Sequence, residues 1–144
     1  MSKELWAKYE LALLALVIWR EARSEGPEAM LAVGCSIRNR VQRPSWWGKN
    51  YISVITKKWQ YSSIGDPNDP QLIKYPQVDD AQFTQALEIA QSVLHGTVSN
   101  PVPGADSFFD DRIPRPYWAS DETYVGKIGK LEFHDIDNDM ENIV

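Results

Sequence analysis

The 144-residue sequence is poor in the residues that several classes of protein require. Its one cysteine, Cys35, cannot form an internal disulfide, and its two histidines, His95 and His134, lie far apart and make a poor metal-binding set. No cluster of Lys and Arg interleaved with aromatics offsets the formal net charge of -5. We therefore expect no nucleic-acid partner, and the sequence implies neither a metal nor an organic cofactor.

Long hydrophobic runs are also absent. The longest, residues 11–19, is too short to cross a bilayer, so we expect no stable membrane insertion. Glu4 and Glu10 dilute the basic start that a signal peptide would have. Charged Arg20 and Glu21 stand where a cleavage site has small residues. We expect a buried helix here, in a chain that is made in the cytoplasm without a signal peptide.

Length and hydrophobic pattern predict one α+β domain, mainly helical, over residues 1–144, and we expect a monomer. Apolar residues at helical spacing predict a first helix at residues 3–20 or 3–23 and a second at residues 27–41. The buried face of the first includes Leu5, Trp6 and Tyr9. A third helix, capped by Asp79 or Asp80, runs to about residue 94.

The rest of the chain is predicted to hold shorter elements. Residues 51–56 favour a short helix or turn, and residues 62–76, rich in Pro, Asn and Asp, indicate a long irregular loop. Residues 106–110 predict a short strand. Residues 123–134 predict one last strand, interrupted by Gly126 and Gly129, and the acidic tail after Asp135 is expected to fray.

Glu21 stands at the end of the strongly apolar part of the first helix. Three apolar residues before it share its helix face: Leu14, Val17 and Ile18. A carboxyl held against apolar side chains loses hydration in its charged form, which raises its pKa toward the range of a general acid at neutral pH. The alternative is a solvated or ion-paired surface residue, with Arg20 or Arg23 as the partner.

Four other residues allow two interpretations each. Trp46 and Trp47, in a loop, either stack on sugar rings or pin the loop to the core. Asn39, near the end of the second helix, either caps local backbone or reaches into a cleft. Cys35 is either a nucleophile or a small buried residue, and the second is favoured because two histidines are the only bases available to it.

Several motifs in a fixed order, over residues 14–133, resemble the SleB-type cell-wall hydrolase family. The first part of the resemblance comprises Glu21-Ala-Arg-Ser-Glu-Gly, Ala32-Val33 and Asn39-Arg40-Val41. The second comprises Trp59-Gln60-Tyr61-Ser62, Asp66-Pro-Asn-Asp-Pro, the aromatic segment from Gly104-Ala105 to Pro116-Tyr-Trp118-Ala, and Ile128-Gly129 with Phe133. In many relatives histidines stand at the positions of Ser107, Phe109 and Leu131, and phenylalanine at that of Tyr61.

The resemblance implies a lysozyme-like fold with a small antiparallel sheet beside a cleft, and an enzyme that cleaves the glycan strands of peptidoglycan. By the same resemblance Glu21 is the catalytic acid. Further residues are then expected to bind substrate: Asn39, Gln60 and Ser62 by hydrogen bonds, and Tyr61, Phe108, Tyr117 and Trp118 by lining the sugar sites.

Two mechanisms are compatible with this assignment. A lytic transglycosylase needs one carboxyl, because the group that protonates the glycosidic oxygen then accepts the proton of the sugar's C6 hydroxyl. A muramidase needs a second carboxylate across the cleft, and five candidates are available: Glu25, Asp66, Asp69, Asp106 and Asp110. We expect the transglycosylase.

Two further classes remain open, a non-catalytic glycan-binding or virion module and a peptidase or amidase that uses Cys35. The absence of a signal sequence fits a phage or prophage endolysin that acts on the cell wall after release.

Overall fold

The computed structural model describes residues 1–137. The protein is mainly helical with one small antiparallel sheet, as predicted. Its elements in chain order are α1 (Lys3–Ala22), α2 (Pro27–Gln42), α3 (Tyr51–Ile55), α4 (Ser62–Gly65), a 3-10 helix (Pro70–Ile73), α5 (Ala81–His95), β1 (Ser107–Asp110), β2 (Tyr124–Ile128) and β3 (Leu131–His134). In residues 1–137, none of the helices combines the length and the apolar character that a bilayer crossing requires.

Helices α1, α2 and α5 pack against one another and form the core. Gly34 of α2 lies where the three meet, since a Cβ at this position would stand 3.1 Å from both Ile18 Cδ1 and Val93 Cγ2. A glycine therefore allows the helices to approach closely. The apolar stripe that precedes Glu21 is fully buried in this core, as predicted.

The ends of the helices follow local capping signals. Ser2 Oγ accepts a hydrogen bond from the Leu5 amide at 3.1 Å, and Asp80 accepts one from the Phe83 amide at 3.0 Å. Gly96 adopts a left-handed φ of 68° and ends α5. The predicted bounds of the three long helices agree with the structure to within two residues.

The first two turns of α1 contradict one prediction. Leu5, Trp6 and Tyr9 are 54, 38 and 43% exposed rather than part of a buried face. Residues 1–9 are exposed on every side of the helix, because no other described part of the chain packs over this end of the 20-residue helix. Apolar periodicity predicted the helix but not where its burial begins.

The sheet has the order β1-β3-β2, with Phe108 opposite Phe133 and Ile128 opposite Leu131. The prediction of a single last strand was wrong, because β2 and β3 form a hairpin. Gly129, whose φ is 60°, makes the turn between them. A left-handed residue at this position reverses the chain where the sequence alternation suggested only an interruption.

Two further predictions need correction. Residues 62–76 are not irregular throughout, since they contain α4 and the 3-10 helix, whose first turn Asp69 caps by accepting from the Gln71 amide at 2.8 Å. The tail does not fray directly after Asp135. The amides of Ile136 and Asp137 donate to the Asp106 carboxylate at 3.1 and 3.0 Å. The remainder of the tail lies outside the described residues.

Candidate active site

A cleft of about 1120 Å³ runs beside the sheet and is the larger of the two cavities described in residues 1–137. Its walls come from the end of α1, from residues 59–62 after α3, from β1 and from the aromatic segment at residues 113–123. Glu21 lines it. The apolar stripe of α1 thus carries a carboxyl to the edge of an open cavity.

The Glu21 carboxyl is half-buried and has one hydroxyl partner. Ser63 Oγ donates to Glu21 Oε1 at 2.8 Å. Burial raises the pKa of Glu21 to about 7, the Ser63 hydrogen bond opposes this rise, and the negative charge of Asp69 adds to it. At neutral pH the group is therefore divided between its protonated and ionised forms, and it is suited both to donate and to accept a proton.

The two neighbouring arginines do not pair with Glu21. Arg20 donates to three backbone carbonyls, and Arg23 Nη1 donates to the carbonyls of its own helix at Trp19 and Arg20. Among the described residues no ion pair joins either arginine to Glu21. The alternative of an ion-paired surface glutamate is therefore wrong.

Most of the predicted substrate-binding residues line the same cleft as Glu21: Gln60, Tyr61, Ser62, Phe108, Tyr117 and Trp118. These residues differ in their exposure and in their partners within the protein. Tyr117 is fully exposed, whereas Tyr61 is 5% exposed and packs against Phe108 with 6.4 Å between ring centroids. Ser62 Oγ donates to Asp69 at 2.7 Å, and Gln60 accepts from an arginine of α2.

Asn39 does not belong to this group, since it is not part of the cleft lining. Its Nδ2 donates to the carbonyls of Val102 at 3.1 Å and Ala105 at 2.7 Å, and its Oδ1 accepts from Asn100 Nδ2 at 2.9 Å. Both ends of the amide are therefore engaged within the protein. Asn39 joins α2 to the loop before β1, a non-local contact that neither sequence interpretation included.

The paired tryptophans differ in their exposure, so the pinning role applies to one of them, and sugar stacking by the other stays a prediction. Trp47 is 1% exposed and its indole N–H donates to the Arg40 carbonyl at 3.0 Å, so it pins the loop to the core. Trp46 is 45% exposed and lines the cleft. The exposed fraction of each side chain distinguishes Trp46 from Trp47, and the sequence alone does not give this fraction.

Two cleft residues were missed by the sequence analysis. Arg40 is buried, and its guanidinium donates to the Asp106 carbonyl at 2.6 Å and to Gln60 Oε1 at 3.2 Å. Trp59 is 68% exposed and holds a φ of 68°, an unusual backbone conformation for a large side chain. Trp59 stands immediately before Gln60 in the Trp59-Gln60-Tyr61-Ser62 motif, and this position was the signal that could have identified it.

Four of the five candidate second carboxylates are not part of the cleft lining, and each of them has a hydrogen-bond partner within the protein. Asp106 is fully buried and accepts from Ser107 and two tail amides. Glu25 accepts from the Lys130 amide in the β2–β3 turn at 2.8 Å. Asp66 caps its own turn, and Asp69 accepts from Ser62 and Gln71.

Asp110 is the fifth candidate, and it does line the cleft. Hydrogen bonds from the Arg112 side chain and backbone, together with the guanidinium charge, hold the pKa of Asp110 below its usual range. It therefore remains ionised at neutral pH, whereas Glu21 does not remain fully so. The cleft contains two carboxyls in different electrostatic environments.

Cys35 is fully buried in the core, and burial raises the pKa of its thiol to about 11. The interpretation as a nucleophile is therefore wrong. His134 is also fully buried, with Nδ1 2.8 Å from Thr123 Oγ1 and Nε2 2.9 Å from Glu132 Oε1. Over the described part of the chain, no group of three or more His, Cys, Asp or Glu side chains is placed to hold a metal ion.

Residues 24–134 match a family model described as Cell Wall Hydrolase. The chain belongs to the cell wall hydrolase family. The matched range begins three residues after Glu21 and contains the other lining residues of the cleft except Ile136. The predicted membership of the SleB-type family is confirmed. No curated protein matches the sequence.

Solved structures support the fold of this cell wall hydrolase. The catalytic domain of the Bacillus cereus SleB protein is 22% identical, with a TM-score of 0.68, over 88% of this chain and 90% of that one. The catalytic domain of the germination-specific lytic transglycosylase SleB from Bacillus anthracis is 21% identical, with a TM-score of 0.68, over 93 and 96% of the two chains. The predicted lysozyme-like α+β fold is thereby confirmed.

Proposed function

We propose that this member of the cell wall hydrolase family degrades peptidoglycan as a lytic transglycosylase. It cleaves the MurNAc-GlcNAc bond and leaves 1,6-anhydro-MurNAc ends. The observation that carries the proposal is the position of Glu21, half-buried at the cleft with a pKa of about 7. A transglycosylase requires one group that is an acid in the first half of the reaction and a base in the second. A carboxyl with a pKa near the ambient pH serves both halves.

In the first half, protonated Glu21 gives its proton to the glycosidic oxygen as the bond from that oxygen to C1 of MurNAc breaks. In the second half, the C6 hydroxyl oxygen of the same sugar forms a bond to C1, and its proton passes to the Glu21 carboxylate. The group returns to its starting form and no water is consumed. The Ser63 hydroxyl donates to Oε1, so the transferable proton is carried by the other oxygen of the carboxyl.

The cleft offers surfaces that suit a glycan. Sugar rings present flat patches of C–H groups that stack on aromatic faces. Exposed Trp46, Trp59 and Tyr117 provide such faces along the cleft, and Ser62 and Gln60 provide polar atoms between them. We propose that the glycan strand lies across these residues, with the bond to be cleaved next to Glu21.

The Bacillus anthracis relative is a lytic transglycosylase, which favours the same reaction for this chain. A muramidase is the second candidate, and one observation supports it. Asp110 lines the same cleft and stays ionised, as the second carboxylate of a hydrolase must. The two mechanisms predict different products and different requirements for Asp110.

The test is mass spectrometry of the fragments that wild type, Glu21→Gln and Asp110→Asn release from purified peptidoglycan, before and after borohydride reduction. We expect ends that resist reduction from wild type and Asp110→Asn, and no fragments from Glu21→Gln. Reducible muramic ends that disappear with Asp110→Asn would instead establish the muramidase. Glycan binding by wild type without any released fragment would support a non-catalytic module.

The biological setting is a separate proposal. We propose an endolysin of phage or prophage origin that is made in the cytoplasm, acts as a monomer and reaches the cell wall after release. Expression in a bacterial host should then cause lysis only after the inner membrane is permeabilised. Lysis without permeabilisation would contradict this part of the proposal and leave the reaction itself unaffected.

A further inference from the structure

Arg20 immediately precedes Glu21 in α1, and its side chain serves a different segment. Its Nη1 donates to the Ser63 carbonyl at 2.8 Å, its Nε to the Lys74 carbonyl at 3.1 Å and its Nη2 to the Leu72 carbonyl at 3.2 Å. The residue is 6% exposed. One guanidinium thus binds both ends of a stretch that contains α4 and the 3-10 helix, which we call the 63–75 segment.

Among residues 1–137, no carboxylate forms an ion pair with Arg20. Its partners are backbone carbonyls and the ring of Tyr75, whose centroid lies 4.8 Å from Cζ. A buried cation is costly unless its donors are satisfied, and a planar fork of N–H groups can satisfy several acceptors at once. The contact therefore holds only while the 63–75 segment lies against α1.

The same segment supplies the groups that face Glu21. Ser63 is bonded to both consecutive residues of α1, since its carbonyl accepts from Arg20 at 2.8 Å while its hydroxyl donates to Glu21 at 2.8 Å. The negative charge of Asp69 in the same segment also acts on Glu21. Arg40 and Asp110 line the cleft from other elements. The negative charge of Glu21 contributes to the raised pKa of Tyr61.

We propose that Arg20 is a positioning residue for the reaction: it locks the 63–75 segment against the end of α1 and so fixes the Ser63–Glu21 hydrogen bond and the cover over the carboxyl. The inference rests on the proposed role of Glu21 as acid and base. Arg20 is not part of the cleft lining. It contacts backbone carbonyls and the Tyr75 ring, and it acts on Glu21 through Ser63.

Two variants separate the two consequences of this lock. In Arg20→Met the segment is released, Glu21 gains water, and its pKa falls, because burial is the largest cause of its elevation. In Ser63→Ala the segment stays closed, but a bond that favours the ionised form is lost, so the pKa of Glu21 rises further. The expected shifts are opposite in sign. If Arg20 served only the stability of the fold, the Glu21 pKa of Arg20→Met would equal that of wild type, whereas the rise in Ser63→Ala does not depend on Arg20.

The matched control is Arg23→Met. It removes the same charge two residues after Glu21, and the Arg23 side chain contacts Trp19 and its own helix rather than the 63–75 segment. Its Glu21 pKa should equal that of wild type. Arg20→Lys keeps the charge but lacks the fork, so it should shift the pKa in the same direction as Arg20→Met by a smaller amount.

The measurement is a carbon-13 NMR titration of the glutamate carboxyls, with the Glu21 signal assigned by its loss in Glu21→Gln, combined with the pH profile of kcat. We expect kcat of Arg20→Met to fall roughly 10- to 100-fold, with its pH optimum lowered, because small displacements of a catalytic group have effects of this size. The pH optimum of Ser63→Ala should rise.

A folded Arg20→Met or Arg20→Lys with the wild-type Glu21 pKa and kcat would overturn the inference, whatever its thermal stability. If Arg20→Met does not fold, Arg20→Lys decides the question in the same way. The titration does not depend on turnover. A wild type without glycan cleavage but with the two opposite pKa shifts would therefore refute the proposed function while leaving the role of Arg20 intact.

Discussion

The elevated pKa of Glu21 makes a quantitative prediction for protein stability. The carboxyl has an ordinary pKa of 4.5 in the unfolded chain and about 7 in the folded protein. Between these values the folded state binds more protons, so the free energy of unfolding falls as pH rises through this range and is constant above it. At 1.36 kcal/mol for each tenfold change in proton affinity, the loss is roughly 3 kcal/mol.

Glu21→Gln removes this dependence, since an amide does not titrate. We expect the stability of the variant minus that of wild type to rise by about 3 kcal/mol between about pH 4.5 and pH 7 and to stay constant above that range. Burial of the amide lowers the whole curve of the variant by about 1–3 kcal/mol without changing its slope. The difference in slope is therefore the quantity to measure.

The assay is urea unfolding of wild type and Glu21→Gln at intervals from about pH 4.5 to pH 8, with the free energy of unfolding extrapolated to water. Titration of other groups is common to both proteins and cancels in the difference. A difference that does not change across this range would refute the assignment of an elevated pKa to Glu21. A difference that falls with pH would mean that folding lowers the pKa.

Three further predictions concern other parts of the molecule. Gly34→Val should lower the free energy of unfolding by about 1–3 kcal/mol in thermal or urea melts, because its side chain would enter the close contact of α1, α2 and α5. Asn39→Ala should lower it by about 1–3 kcal/mol while kcat is kept, because buried carbonyls lose their donor. Trp59→Ala should raise KM for glycan roughly tenfold without lowering the melting temperature, whereas Trp47→Ala should destabilise the fold.

The position of the cleft explains why a single helix carries so much of the proposed chemistry. The last turn of α1 contains Arg20 and Glu21, which point to different surroundings. Arg20 reaches the carbonyls of the 63–75 segment, and Glu21 reaches the hydroxyl of the same segment beside the open cleft. Two adjacent residues of one rigid helix therefore bind the segment, Arg20 through its carbonyls and Glu21 through its hydroxyl.

The likeness to the SleB catalytic domains concerns the fold. Where many relatives of the family are expected to have histidines, this chain has Ser107, Phe109 and Leu131, and all three line the cleft. Phe109 stacks on buried His134 with 5.7 Å between ring centroids. The aromatic wall is thus built with one internal histidine rather than with several in the cavity.

The sequence by itself determined the three long helices, the carboxyl at the end of the apolar stripe and the membership of the family. These features depend on residues close together in the chain: apolar spacing, caps such as Ser2 and Asp80, and motifs in a fixed order. Local interactions act in the same way wherever the helix is placed, and so periodicity alone predicted the burial beside Glu21.

Only the tertiary structure decided the partners of the polar side chains. Asn39 meets carbonyls more than sixty residues away, Arg20 meets the 63–75 segment, and Asp110 rather than Asp106 faces the cleft. The same holds for Trp46 and Trp47, adjacent in sequence and opposite in exposure. Such choices depend on which surfaces the packed helices bring together, and no spacing within the chain encodes them.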